Sequence, residues 1–235
     1  MPLFEIPSAS NAEIQVGKAV YKVVKIFKDD FFALTALISD TSGKKWVLKI
    51  SRIKVPFLRR GFQFLLNWLG RREAKIYKYL QDISGIPKFH SAQENWFIHE
   101  YIEGDNLKEF RHVSDTFFDE LLQLLQRLHQ KRVVYIDLDK KDNIIVGIDK
   151  KPYLIDFQIS LKFQSVQGVL GQIFKMFVKS DLYHYYKHKR SIRKDLLTEK
   201  DLKYTPKRTL PHTLHRYLIS RPFRWFKRKF LPSYC

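Results

Sequence analysis

Apolar and polar residues partly alternate over residues 15–26, the two-residue period of a half-buried strand. Lys28-Asp29-Asp30 reads as a turn, residues 31–38 as a second strand, Asp40-Thr41-Ser42-Gly43 as a turn, and residues 45–50 as a third strand. Three sequential strands joined by short turns predict an antiparallel meander. Residues 57–82 switch to a helical pattern, with a break expected near Gly70 and an end before Pro87. Residues 96–101 form a short apolar strand, and Glu103-Gly104-Asp105-Asn106 turns the chain. Ser114 or Asp115 is placed to cap a helix that runs through His129 and buries Phe117, Phe118, Leu121, Leu122, Leu125 and Leu128. Residues 133–136, 144–146 and 153–155 predict short strands around tight loops, and the chain beyond Lys162 reads as mostly helical. This order predicts an α+β protein of two lobes. Residues 1–102 would carry a small antiparallel sheet and one helix, and residues 103–235 a reduced helical half.

Composition narrows the class. Of 235 residues 45% are hydrophobic, enough for a core, and 29% charged with 15% aromatic, which excludes a disordered composition. The single cysteine, Cys235, excludes an internal disulfide and a cysteine-based zinc site and points to a reducing compartment. The first residues show no signal-peptide pattern, and no run approaches the roughly 18 apolar residues of a spanning helix. A cytoplasmic protein is expected, with peripheral contact on the inner face of a membrane as an option.

Charge adds a partner. The net charge is +19, and residues 187–235 hold fifteen Lys and Arg against three acids. Such a tail favours an anionic partner: nucleic acid, acidic lipid or a phosphorylated glycan. Nothing like a recognition helix, an aromatic RNP stretch or a zinc knuckle is present, so no specific nucleic acid is expected. Residues 53–72 mix apolar residues with Arg59, Arg60, Arg71 and Arg72; an amphipathic segment resting on lipid and a helix packed on the small lobe fit equally well. Residues 221–231 interleave cations with Phe223, Trp225, Phe226 and Phe230, a composition suited to an anionic bilayer surface.

Phosphoryl transfer needs a cation for the phosphates, oxygen ligands for magnesium, and a carboxylate to orient the attacking hydroxyl. These residue types occur here in one order, and that order resembles the protein-kinase-like superfamily. Trp46-Val47-Leu48-Lys49 resembles the kinase lysine strand, and Glu73 in Arg71-Arg72-Glu73-Ala74-Lys75 falls where kinases keep the glutamate that pairs with it. Residues 98–107 resemble the hinge, Tyr135-Ile136-Asp137-Leu138-Asp139-Lys140-Lys141-Asp142-Asn143 the catalytic loop, and Leu154-Ile155-Asp156-Phe157-Gln158 the magnesium loop. Each motif alone is weak; five in order over residues 20–160 are specific. The resemblance implies ATP and Mg2+. It implies Lys49 on the phosphates, held by Glu73, and Asp137 as the base. It implies Asn143 and Asp156 on the metal, Glu100 C=O and Ile102 N–H on the adenine edge, and Val47 and Leu34 against the adenine faces.

The departures bear on the acceptor. Phe27-Lys28-Asp29-Asp30-Phe31-Phe32-Ala33-Leu34 holds no glycine where kinases have a glycine-rich loop; Lys28 is nearby, and the two aspartates are expected to face out. Tyr135-Ile136 replaces the family's His-Arg, so a phosphorylated activation loop would have no partner. Asn143 follows Asp137 by six residues instead of five, which leaves Asp142 as an alternative ligand and Asp139 as an alternative base. Asp-Phe-Gly is Asp-Phe-Gln, and no Ala-Pro-Glu segment follows. These features are similar to the bacterial lipopolysaccharide core kinases, which act on Kdo or heptose, and imply an anionic glycolipid or sugar acceptor. A serine/threonine protein kinase of the same fold and a catalytically inactive pseudokinase are the alternatives.

Overall fold

The computed structural model describes residues 12–29, 33–52 and 56–203. Two units are distinguished, Met1–Gln81 with Pro87–Ile102, and Asp82–Ile86 with Glu103–Cys235. In the first, β1 (Glu13–Val16), β2 (Ala19–Asp29), β3 (Ala33–Ser39) and β4 (Lys45–Ser51) form the expected meander, followed by α1 (Pro56–Leu80), β5 (Phe89–Ala92) and β6 (Trp96–Glu100). The sheet order is β1-β2-β3-β4-β6-β5, antiparallel throughout.

Pleating divides this sheet cleanly. Leu34, Ala36, Ile38, Trp46, Leu48, Ile50, Trp96 and Ile98 share one core cluster with Ile14, Val16, Tyr21 and Val23. All the β3, β4 and β6 members are even-numbered, as a two-residue period requires. The odd positions, among them Thr35, Leu37, Val47, Lys49, Phe97 and His99, therefore occupy the other face, where α1 adds Tyr77, stacked on His99 at 4.8 Å.

Several boundaries differ from the sequence expectation. β2 runs on through Lys28 and Asp29, whose partners are Thr35 and Leu34, so the turn expected at residue 28 is absent. α1 is continuous through Gly70, where a Cβ would come within 2.7 Å of Ser51 Oγ and force that hydroxyl to shift. The β3–β4 turn is built as read. Asp40 Oδ1 accepts from Ser42 N–H at 2.9 Å, Ser42 Oγ–H at 2.6 Å and Lys44 N–H at 3.0 Å, and Oδ2 accepts from Trp46 Nε1–H at 2.9 Å. Gly43 takes the left-handed conformation this turn needs, φ +83°.

The second unit holds β7 (Gly104–Asn106), α2 (Phe117–Gln130), β8 (Val133–Val134), β9 (Ile144–Gly147), β10 (Pro152–Leu154), β11 (Leu161–Lys162), α3 (Gly168–Ile192) and α4 (Glu199–Lys203). The buried side of α2 is Phe117, Phe118, Leu121, Leu124, Leu125 and Leu128, with Leu124 in place of the expected Leu122. Neither Ser114 nor Asp115 caps α2 with its side chain; Asp115 instead pairs with Arg193 at 2.7 Å. Among the described residues no helix is long and apolar enough to cross a membrane. The cation–aromatic stretch at residues 221–231 lies outside the described residues.

The Asp40 carboxyl is held down to about 2, chiefly by the Ser42 hydroxyl and then by the Trp46 indole. A depressed folded-state value stabilises above the unfolded value and is lost as pH falls through the folded one. Asp40→Ala should thus cost about 1 kcal/mol at neutral pH. The gap in Tm between wild type and variant, followed by circular dichroism, should narrow as pH falls from about 4 to about 2; a gap independent of pH would show that the ionised carboxylate contributes nothing.

Candidate functional site

In the first unit Lys49 and Glu73 meet. Lys49 lies on the odd face of β4, and α1 brings the buried Glu73 over it, Nζ to Oε1 2.7 Å. Lys49 Nζ also stands 5.7 Å from the centre of the Phe97 ring. An ammonium on a four-carbon stem positions poorly alone, and a buried carboxylate plus an aromatic face fix it. The glutamate is 2% exposed, and a carboxylate so buried needs a cation. The lysine side chain is 20% exposed and so keeps access to a ligand.

Val47 shares the face of Lys49, but Leu34 does not. Leu34 pairs with Ile50, is 1% exposed and belongs to the core cluster on the opposite face, so it cannot line one surface with Val47. The β3 residue beside Val47 is Leu37. Leu34 and Leu37 are three residues apart, and an odd number of residues along a strand exchanges the faces. At the end of β6, His99 Nδ1–H donates to Glu100 O at 2.8 Å, leaving that carbonyl one further lone pair. No hydrogen bond to Ile102 N–H forms among the described residues.

In the second unit the loop after β8 carries Asp137. Two successive 3-10 turns, Asp137–Asp139 and Lys141–Asn143, with Lys140 extended between them, span the six-residue step from Asp137 to Asn143. Asp137 Oδ2 accepts from Lys140 Nζ at 2.6 Å and from Asn143 Nδ2 at 2.9 Å. Burial pushes the Asp137 carboxyl up; the Lys140 and Asn143 contacts oppose this, and repulsion from Asp156 adds to it. Asp139 is more exposed and its carboxyl is displaced the other way. It is held by His184 Nδ1 at 3.2 Å and Lys187 Nζ at 2.6 Å, and these partners, His184 foremost, keep its carboxyl far below the usual range. Asp142 is exposed and paired with Lys108, whereas Asn143 is buried beside Asp137.

The backbone around Asp137 is strained. Ile136, a β-branched residue, has φ 70° and ψ −43°, and Asp156 has φ 64°. Such conformations persist only where surroundings over-determine them. Asp181, 0% exposed in the middle of α3, accepts from Tyr135 N–H at 2.9 Å, Ile136 N–H at 2.8 Å and His129 Nε2–H at 2.9 Å. These bonds end β8 at Val134, two residues earlier than expected. One helical turn on, His184 meets Asp139; another turn on, His188 Nε2–H donates to Leu138 O at 2.6 Å. Burial lowers His188 to about 4, so at neutral pH it is an uncharged donor. Residues 181, 184 and 188 recur at helical spacing and form one polar stripe that grips residues 135–139. The segment that carries Asp156 is tied to the same point: Tyr135 Oη donates to Ile155 O, the Tyr135 and Phe157 rings meet edge-on at 5.1 Å, and Ser160 Oγ–H donates to Tyr135 O at 3.0 Å.

The sequence reading missed Lys140, Asp181, His184 and His188. The available signal was acid and histidine at three- and four-residue spacing inside a helix; its contact with residues 135–139, some 45 positions earlier, is visible only in the fold.

No family model matches the chain. It is similar to Serine/threonine-protein kinase D of Synechocystis sp., with 30% identity over 149 residues covering 58% of this chain and 29% of the relative. It is likewise similar to Serine/threonine-protein kinase PknA of Nostoc sp., with 31% identity over 154 residues covering 58% and 27%. The chain thus spans less than a third of the length of these relatives. Among solved structures it is similar to the Rio2 kinase from Chaetomium thermophilum, with TM-score 0.57, 17% identity, and 90% of this chain and 74% of that chain covered. The Rio2 kinase-ADP/Mg2+-phosphoaspartate complex from the same organism gives 0.56 at 17% identity over 90% and 72%. The fold is the two-lobed, α+β protein-kinase-like fold.

Removing Asp181 would orphan one buried and one part-buried N–H group and one imidazole. Asp181→Ala should destabilise the protein by roughly 3 kcal/mol or more, and hydrogen exchange should accelerate first at Tyr135 and Ile136. A variant with unchanged Tm and unchanged protection at those amides would show that α3 does not hold the loop.

Proposed function

We propose that the chain is an ATP-dependent phosphotransferase that uses Mg2+ and delivers the γ-phosphate to a hydroxyl. The observation that carries this is the Lys49–Glu73 ion pair, closed at 2.7 Å between a strand and a helix. It is the geometry expected for a cation meant to hold phosphates. Asp137 supports the same reading: a carboxyl pushed up by burial is a stronger base than an ordinary aspartate, and Lys140 and Asn143 fix its orientation.

In this scheme Lys49 grips the phosphates, Asp137 takes the hydroxyl proton, and Lys140 offsets charge on the transferring group. Glu100 C=O and Ile102 N–H meet the adenine edge, and Val47 packs on its face. Asn143 and Asp156 would hold the metal. Their fit is supported by the repulsion between Asp137 and Asp156, a carboxylate pair that a divalent cation relieves, and by the Asn143 amide, whose Nδ2 is used and whose Oδ1 suits a hard cation. Bound Mg2+ supplies charge neutralisation on the phosphates.

Two acceptor classes are in play. The relatives are serine/threonine-protein kinases by name, which favours a protein hydroxyl. The second reading, a lipopolysaccharide core sugar, is favoured by the short segment, residues 157–167, that separates Asp156 from α3 and offers little platform for a peptide. Peripheral contact with an anionic membrane belongs to this second reading. It rests on the basic excess and on exposed Phe64, Leu65 and Trp68 of α1, where Arg72 stands 5.7 Å from the Trp68 ring. The pseudokinase alternative is disfavoured by the closed Lys49–Glu73 pair.

The test is γ-labelled ATP with a generic protein substrate, purified lipopolysaccharide core, or buffer alone. Label in protein supports the first acceptor and label in glycan the second. Lys49→Met should lower turnover on the productive acceptor by on the order of 10^2-fold or more, since electrostatic positioning supplies most of this catalysis. Turnover near wild type in that variant would overturn the assignment.

A further inference from the structure

The stretch that precedes β3 contains no glycine, so the close backbone approach by which a glycine-rich loop cradles phosphates is not available to Phe27, Lys28 and Asp29. A side chain could supply the missing attraction if it faced Lys49. In an unbroken strand Lys28 would not: it shares parity with Ile26, and Ile26 packs against the core cluster on the far face.

β2 is not unbroken. Its register against β3 shifts twice. Lys22 opposes Ser39 and Val23 opposes Ile38; Val24 is extra; Lys25 then opposes Leu37 and Ile26 opposes Ala36; Phe27 is extra; Lys28 then opposes Thr35 and Asp29 opposes Leu34. Each bulge inserts one residue and exchanges the faces beyond it. A lysine every third residue is thereby converted into one aligned row. Lys28, Thr35 and Lys49 form a single cross-strand line, and Lys25, Leu37 and Val47 form the next. The same bulge sends Asp29 to the other face, where its carboxylate pairs with Arg52 at 2.5 Å and so does not repel an anion on the Lys49 side.

We propose that Lys28, re-aimed by the bulge at Phe27, is a phosphate-binding residue that replaces the glycine-rich loop and holds the β- and γ-phosphates of the nucleotide together with Lys49. This rests on the nucleotide-binding reading given above. The two backbones are about 10 Å apart, two strand spacings. Two flexible stems directed from that separation can converge on one triphosphate. Lys28 is exposed, unlike Lys49, so replacing it removes a ligand contact without disturbing a core.

The experiment compares adenosine, ADP·Mg2+ and ATP·Mg2+ binding by calorimetry to wild type, Lys28→Ala, Lys28→Arg and, as a surface control, Lys75→Ala. Lys28→Ala should weaken ATP and ADP by about tenfold while changing adenosine by less than about twofold, because a lost charge-assisted contact to phosphate is felt only by ligands that carry phosphate. Lys28→Arg should restore most of the loss, and Lys75→Ala should match wild type. If wild type binds ATP and Lys28→Ala binds it equally well, or loses adenosine in the same proportion, the inference fails alone. If wild type binds none of the three ligands, the nucleotide-binding reading fails and this inference with it.

Discussion

The carboxylate of Asp181, wholly buried in α3, has to find hydrogen-bond donors, and the ones it finds are the backbone N–H groups of Tyr135 and Ile136 and the ring of His129. Much of the second unit's chemistry follows from this. Two N–H groups drawn to one side chain cannot stay in a strand ladder, so β8 stops at Val134 and Ile136 is forced to φ 70°. That turn puts Asp137 at the start of a 3-10 turn with its carboxylate between Lys140 and Asn143. His184, Lys187 and His188 add further holds on Asp139 and Leu138, so residues 135–139 are gripped from one helix at five points.

In the first unit the ordering interaction is the pleat. Because β3, β4 and β6 pair without a bulge between β3 and β4 or β4 and β6, parity alone separates the core residues from Lys49, Val47 and His99. β2 departs from parity twice, and its lysines keep the face of Lys49 while Val23 and Ile26 keep the core.

These two mechanisms also explain what the sequence did and did not disclose. The meander, the long helix and the pairing of Lys49 with Glu73 were legible because strand alternation, turn residues and motif order are local or nearly local signals. Leu34 falls on the face opposite Val47 because motif order fixes a residue only approximately, while the face of a strand changes with every residue; Leu37 is the neighbour of Val47. The bulges in β2 were illegible, since a three-residue lysine spacing reads as imperfect alternation. Asp181 was illegible for a different reason: its role depends on which distant segment α3 packs against, and no local pattern carries that. Between Asp137 and Asp139 the sequence left the base open; Asp137 is the more buried and its carboxyl is pushed up, whereas the more exposed Asp139 is pushed down, which supports the role proposed for Asp137.

Parallel kinetics of Asp137→Ala and Asp139→Ala with Mg2+ and ATP check whether Asp137 is the base that residues 135–143 hold in place. Asp137→Ala should lower kcat by on the order of 10^2 to 10^4 while the Kd for ATP stays near wild type, because the lost contact belongs to the transition state. Asp139→Ala should keep kcat within about tenfold, its loss being one of positioning. An inactive Asp139→Ala beside an active Asp137→Ala would overturn the proposed assignment of the base.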